Sequence, residues 1–395
     1  MRKRFLLVFF LSIKIILVSS TLAFAQNKNP YQEPDRADRS IKIEHGDFAY
    51  KLYLNDNWIF YGDRSPKVTM SIANFNYKKE SFLIKCTVKS DSDVPVYTFK
   101  QELSVDSNDS SLVSFAFDSP LPGIYKVCLE NDLEIIKEFN IAYEPAKIIT
   151  SVDSLNQRNN YWENIKSELA KVNPNYKLSK VKKMQGEFRD VFLVEMTSLG
   201  KNKIYAYYFV PKKRENHLAI VRYGDEALDS CSIRADMSKN LIELVVLRDK
   251  NKLRGVKEAT ADAIRAIDFI ESRKIVDSSN IFVSVNRNGG KVGLAACAID
   301  DRIRAVSIYS PYFSSDQLDD SKYNYRALLA KIKVPNVFGF CLQETRSTPR
   351  NNYYIYNSLS NKFKQYYLYP LIEDQSKDQW REIELNFFNK YRVMQ

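Results

Sequence analysis

"NIFVSVNRNGGKVGLAACAIDDRIRAV", Asn280 to Val306, is the stretch whose reading decides the fold. Ile281, Phe282, Val283 and Val285 form an almost unbroken apolar run, the pattern of a strand buried on both faces. A turn over Asn286, Arg287 and Asn288 follows, and Gly289-Gly290 opens a helix carrying Val292, Leu294, Ala295, Ala296 and Cys297. The next apolar run, "AVSIYSPY", is again a buried strand. Strand, tight turn, helix and strand is the repeating unit of a doubly wound sheet.

The same grammar extends outward. "HLAIVRYG" and "LIELVVL" are continuous apolar runs, as parallel strands require. "FRDVFLVEMTS" and "NKIYAYYFVP" flank Leu199-Gly200 as an antiparallel hairpin. "YWENIKSELAKVNP" carries Trp162, Ile165, Leu169 and Val172 on one helical stripe, and "GVKEATADAIRAIDFIESR" is amphipathic. "PNVFGFCL", a helix near Tyr353 to Phe363, "QYYLYP" and a terminal helix "QWREIELNFFNKY" complete an α/β domain over residues 152–395. Before residue 150 the period changes. Eight short runs from "FAYKLYL" to "IIKEFNIAY", separated by Asn, Asp, Ser, Pro and Gly, predict an all-β immunoglobulin-like sandwich over residues 35–146.

The N-terminus predicts export. Arg2, Lys3 and Arg4 precede an apolar stretch from Phe5 to Val18, and Ala23-Phe24-Ala25 is a small-x-small cleavage site. Removing residues 1–25 removes four bases and no acids, taking the formal charge from +11 to +7. No stable membrane span is expected after cleavage, so the protein is placed outside the cell or in the periplasm and envelope. The bases are scattered among acids, which argues against nucleic acid as a partner. Five cysteines, Cys86, Cys128, Cys231, Cys297 and Cys341, show no CxxC or His/Cys spacing, so no metal and no cofactor is expected. The whole chain holds two histidines, His45 and His217.

Arg254-Gly255, "AIDF" at Ala266 to Phe269, Val276-Asp277, Gly289-Gly290, Arg302, Ala305 and Pro311 fall in step along the segment from Leu253 to Ser315. In this series the α/β domain resembles the acetyl xylan esterase/cephalosporin C deacetylase family of α/β-hydrolases, roughly from Asn156 to Tyr391. The resemblance implies an α/β-hydrolase fold, with a nucleophile elbow in place of the opening turn. By itself it would also imply a carbohydrate acetyl esterase, active here only through a non-standard site.

The residues at the matching positions contradict that activity. The family's GGSQGG corresponds to Val285-Asn286-Arg287-Asn288-Gly289-Gly290, which puts Arg287 at the serine. The family acid falls on Glu344, the family histidine on Asp374, and the oxyanion-hole turn on Tyr223-Gly224-Asp225 beside Asn288. A guanidinium is neither nucleophile nor base, and an aspartate is too weak a base to activate a hydroxyl. The expectation is a catalytically inactive pseudo-esterase with a carbohydrate-binding or interaction role, its partner an acetylated or acidic glycan. Two readings of Arg287 stand open. In one it pairs with Glu344, Asp374 or Asp225 and plugs the pocket. In the other Arg287, Asn288 and Gly289 cradle an anion at a helix start, with a uronic acid as ligand.

Overall fold

The computed structural model of the chain describes residues 40–62, 64–118, 121–132, 134–148, 161–162, 164–213, 215–227, 239–248, 255–314, 323–372 and 377–393. The expected leader, Cys231, Arg254 and Asp374 lie outside them.

The N-terminal part is two facing sheets. One orders β1 (Ser40–His45), β2 (Phe48–Tyr53), β4 (Lys67–Asn74) and β7 (Asp109–Ala116). The other orders β3 (Ile59–Phe60), β9 (Ile135–Tyr143), β8 (Gly123–Glu130), β5 (Glu80–Lys89) and β6 (Pro95–Val105). Every pair is antiparallel except β3 with β9, which is parallel. Alternate residues of both sheets are buried together, for example Leu52, Met70 and Ile72 against Ile84, Val88 and Val127. Phe48 meets Phe82 edge-on across the gap at 4.9 Å, and Trp58 stacks on Phe139 at 4.2 Å. At the start of β8 the Tyr125 hydroxyl donates to the Leu121 carbonyl at 2.7 Å, pinning the turn that leads into that strand. All eight expected runs are strands; β1 is an additional edge strand.

The α/β part is built on nine strands: β10 (Lys177–Lys180), β11 (Arg189–Thr197), β12 (Lys203–Pro211), β13 (His217–Ala227), β14 (Ile242–Arg248), β15 (Val276–Asn286), β16 (Ala305–Tyr309), β17 (Asn336–Cys341) and β18 (Lys364–Tyr369). Their order is β10-β11-β12-β14-β13-β15-β16-β17-β18. The first three join antiparallel, with Gly200 at φ 66 in the β11–β12 turn; from β14 onward all are parallel.

The helices are α1 (Ile165–Ala170), α2 (Val256–Glu271), α3 (Gly290–Ile299), α4 (Tyr325–Leu329), α5 (Pro349–Ser358) and α6 (Lys377–Tyr391). The expected helix near Tyr353 to Phe363 starts earlier, because Thr348 caps it and Pro349 sits in its first turn. The strand pleat sorts the core. Ala219, Val221, Val283 and Val285 share a cluster with Ala263, Ile267 and Leu294 from α2 and α3. Ile220 and Phe282 share another with Trp380, Phe387 and Phe388 from α6. The chain runs from β13 out to β14, then returns across β13 to β15. The order therefore reverses at the carboxyl ends of β13 and β15, the place where open α/β sheets bind ligands.

The two parts meet through polar contacts. Gln343, just past β17, accepts from the Asn140 backbone N–H at 2.8 Å and donates to its carbonyl at 3.0 Å, while the Asn140 side chain donates to Leu342 O at 2.9 Å. Asn357 donates to Ile148 O at 2.7 Å, and Arg350 pairs with Asp91 at 2.9 Å.

Candidate functional site

The buried run Ile281–Val285 delivers Asn286 to the carboxyl end of the sheet, a single 3-10 turn follows over Arg287–Gly289, and α3 starts at Gly290. Arg287 occupies the left-handed region at φ 44. That is the strained strand-to-helix elbow expected of the fold, with arginine at its apex. The glycines explain why the turn holds. A Cβ on Gly289 would stand 2.2 Å from Tyr223 O, and one on Gly290 would stand 2.5 Å from Pro311 Cβ. The Arg287 carbonyl in turn accepts from the Tyr312 N–H at 2.9 Å, tying the elbow to the loop after β16.

Around the apex the structure brings together Arg287, Asn288, Asp225, Tyr309 and Tyr312. The Asn288 side-chain amide donates to the Asp225 carboxylate at 2.6 Å, so a negative charge sits where oxyanion donors would be needed. Tyr309 stacks on Trp380 at 4.8 Å; burial pushes its hydroxyl up to about 12, with the Arg287 charge pulling the other way. Glu344 is spoken for locally, accepting from the Thr345 and Arg346 backbone N–H groups at 2.9 and 3.0 Å.

The plug reading is therefore corrected in two of its three partners. Among the described residues no carboxylate lies within ion-pair distance of the half-buried Arg287 guanidinium; Asp225 is taken by Asn288, and Glu344 caps its own loop. Asp374 lies outside the described residues.

No imidazole reaches this place. His217 begins β13, at the opposite end of the strand from Asp225, and its ring is held between Asn240 O at 3.1 Å and Lys213 O at 3.0 Å. His45 is on the β-sandwich, paired with Glu134 at 2.8 Å. Ser310, buried at the end of β16, donates its backbone N–H to Gly339 O at 2.7 Å. Tyr353 and Tyr356 are buried in packing with Phe338, Phe340 and Tyr366. Cys86, Cys128, Cys297 and Cys341 are buried thiols outside any disulfide, and among the described residues no His/Cys/Asp/Glu group is placed to hold a metal ion.

One feature behind the site was not foreseen. Glu243 on β14, fully buried, accepts from Arg189 at 2.6 Å, Arg222 at 2.8 Å and Arg381 at 2.9 Å. Arg222 also meets Glu384 of α6 at 2.7 Å. Arg222 immediately precedes Tyr223-Gly224-Asp225, so this network anchors the strand that carries the Asp225 turn.

Comparison with known proteins agrees with this architecture. The sequence profile of the acetyl xylan esterase (AXE1) family matches residues 150–238 and 245–325. The chain is similar to acetyl xylan esterase 1 from Thermoanaerobacterium sp. JW/SL YS485, with 16% identity and a TM-score of 0.51 over 59% of this chain and 93% of that one. It is equally similar to an acetyl xylan esterase from Paenibacillus sp. R4, with 16% identity and a TM-score of 0.51 over 62% of this chain and all of the other. The α/β part of the chain is thus acetyl xylan esterase-like, with an α/β-hydrolase fold.

Proposed function

We propose that this acetyl xylan esterase-like chain is an exported, non-hydrolytic glycan-binding protein, whose elbow pocket takes the carboxylate of an acidic sugar. The proposed organisation is a leader over residues 1–25, an immunoglobulin-like domain over 35–146 and the esterase-like domain over 152–395. The strand order of the two sheets, the parallel β3–β9 pair and the Tyr125 corner support the second of these.

The observation that carries the binding reading is Arg287. It stands at the switch point of the sheet, where a serine would have to stand for acyl transfer, with no ion-pair partner among the described residues. A planar guanidinium there recognises a carboxylate through two parallel hydrogen bonds. Loss of hydrolysis follows from the same residues. Among the described residues no imidazole stands near the apex to take a proton from a hydroxyl, and Asp225 opposes the charge an ester would develop.

The test is calorimetric titration of residues 26–395 with glucuronate- and galacturonate-containing oligosaccharides, beside Arg287→Ala and neutral xylo-oligosaccharides. The expected result is binding of an acidic oligosaccharide that weakens about tenfold or more in Arg287→Ala. Equal affinity in the two proteins refutes the reading. Acetate release from acetylated xylan that disappears in Arg287→Ala would refute it too, because the arginine would then take part in catalysis.

A further inference from the structure

The β-sandwich carries a second feature, at the end facing away from the esterase-like part. The contacts with that part include Tyr61 just past β3, Asp91 in the β5–β6 turn, Asn140 late in β9, and Ile148 beyond it. The opposite end holds the β1–β2 turn, the β4–β5 loop, the β6–β7 turn and the β8–β9 loop. On the β4–β5 loop, "NFNYKKE", Tyr77 is 99% exposed and Phe75 is 58% exposed. Two large rings held in water at the tip of one loop are unfavourable unless something covers them.

The loop that displays them is built. Asn74, 0% exposed, donates through its side chain to Lys78 O at 2.9 Å, Val105 O at 3.0 Å and Asp106 O at 3.3 Å, and accepts from Asn76 N at 2.9 Å. Phe75 donates its N–H to Asp47 O at 2.8 Å, and the Ser107 hydroxyl donates to Asn76 O at 2.7 Å. Three loops are thereby locked together beneath the rings. Binding there incurs little of the ordering entropy that a mobile loop would lose.

We infer that Phe75 and Tyr77 form a stacking platform for a neutral polysaccharide chain. The charge at this end selects against anionic occupants. Residues 44–48, 74–80, 105–109 and 131–134 hold seven carboxylates against Lys78 and Lys79, and both lysines are already paired, with Glu80 at 3.4 Å and Asp106 at 3.1 Å. Such a surface repels anionic lipid and acidic glycans alike. A stable protein interface needs a buried core of roughly 800 Å² per partner. Among the described residues this end adds only Ile135 to the two rings as a large exposed apolar side chain. One or two rings are enough for the apolar face of a sugar, with amide, hydroxyl and carboxylate groups beside them to take its hydroxyls.

Affinity electrophoresis of residues 26–395 through gels containing unsubstituted xylan, glucomannan, mixed-linkage β-glucan or polygalacturonate tests this. Wild type, Phe75→Ala/Tyr77→Ala, Tyr77→Trp and Arg287→Ala would run side by side. The expected result is retardation by at least one neutral polysaccharide, weakened about tenfold or more in the double variant and kept in Tyr77→Trp and Arg287→Ala. Retardation by none of the neutral gels overturns the inference, as does retardation unchanged in the double variant. Loss in Arg287→Ala alone would assign all glycan binding to the elbow, leaving the sandwich without a site.

Discussion

Replacing Glu243 by glutamine keeps the shape of the buried network and removes its negative charge. In the folded chain Arg189 is fully buried, and Arg222 and Arg381 are nearly so; all three aim donors at that one carboxylate. Breaking a buried ion pair by neutralising one partner costs about 3–5 kcal/mol, because the other charge is left uncompensated. Spread over the about 240 residues of the esterase-like part, that corresponds to a fall in Tm on the order of 10 °C. Thermal unfolding at neutral pH followed by circular dichroism is the assay. Glu243→Met/Arg189→Met should be milder than Glu243→Gln, since it removes a buried pair together. The acid limb gives a second readout. Burial pushes the Glu243 carboxyl up, and the three arginines more than reverse this, holding it at about 2. Its folded value is thus depressed below the unfolded one of about 4.3, so its contribution is complete above that value and disappears as pH falls towards 2. Wild type should therefore lose stability over that window more steeply than Glu243→Gln. A Tm change under about 3 °C, with superimposable acid limbs, would refute this account of the network.

Two further outcomes follow from the site and the sandwich. Arg287→Ser restores a hydroxyl to the elbow but no imidazole, and leaves Asp225 in place, so aryl acetate hydrolysis should stay within about tenfold of the wild-type background. A rise of a hundredfold would show that a base reaches the apex. Tyr125→Phe removes the hydrogen bond to Leu121 O without changing packing, and should lower stability by about 1 kcal/mol in urea denaturation. An unchanged midpoint would mean that solvent satisfies that carbonyl equally well.

How much of this was legible in the sequence depends on the range of the forces involved. The elbow was, because an apolar run and a glycine pair within a few residues suffice to specify strand, turn and close-packed helix. The parallel core was legible for the same reason. Edge strand β10, "KLSK", was not: its side chains are exposed, so no buried face writes a pattern, and in β1, "SIKIEH", only Ile41 and Ile43 pack inward, too short an alternation to stand out. The Glu243 network was invisible, since its arginines lie 54, 21 and 138 residues away. The predicted pairing of Arg287 with Glu344 and Asp225 matched signs correctly but ignored nearer partners. Two backbone N–H groups one and two residues along take Glu344, and an amide one residue past the elbow takes Asp225. For Glu344 the local donors are already close before the chain closes a long loop, so they win the competition; Asn288 is as distant from Asp225 along the chain as Arg287 is, so there the geometry of the folded turn decides.

The strained turn persists with arginine at its apex. A non-glycine residue at φ 44 costs about 1–3 kcal/mol. Packing accounts for it. Gly289 lies against the Tyr223 carbonyl and Gly290 against Pro311, and the Arg287 carbonyl is bonded to Tyr312, so relaxing the elbow would pull α3 off β13 and the β16 loop. The fold thus imposes the apex on whatever residue occupies position 287. Changing that residue is the least disruptive way to alter the site: the scaffold remains, and the group presented at the switch point becomes a permanent cation.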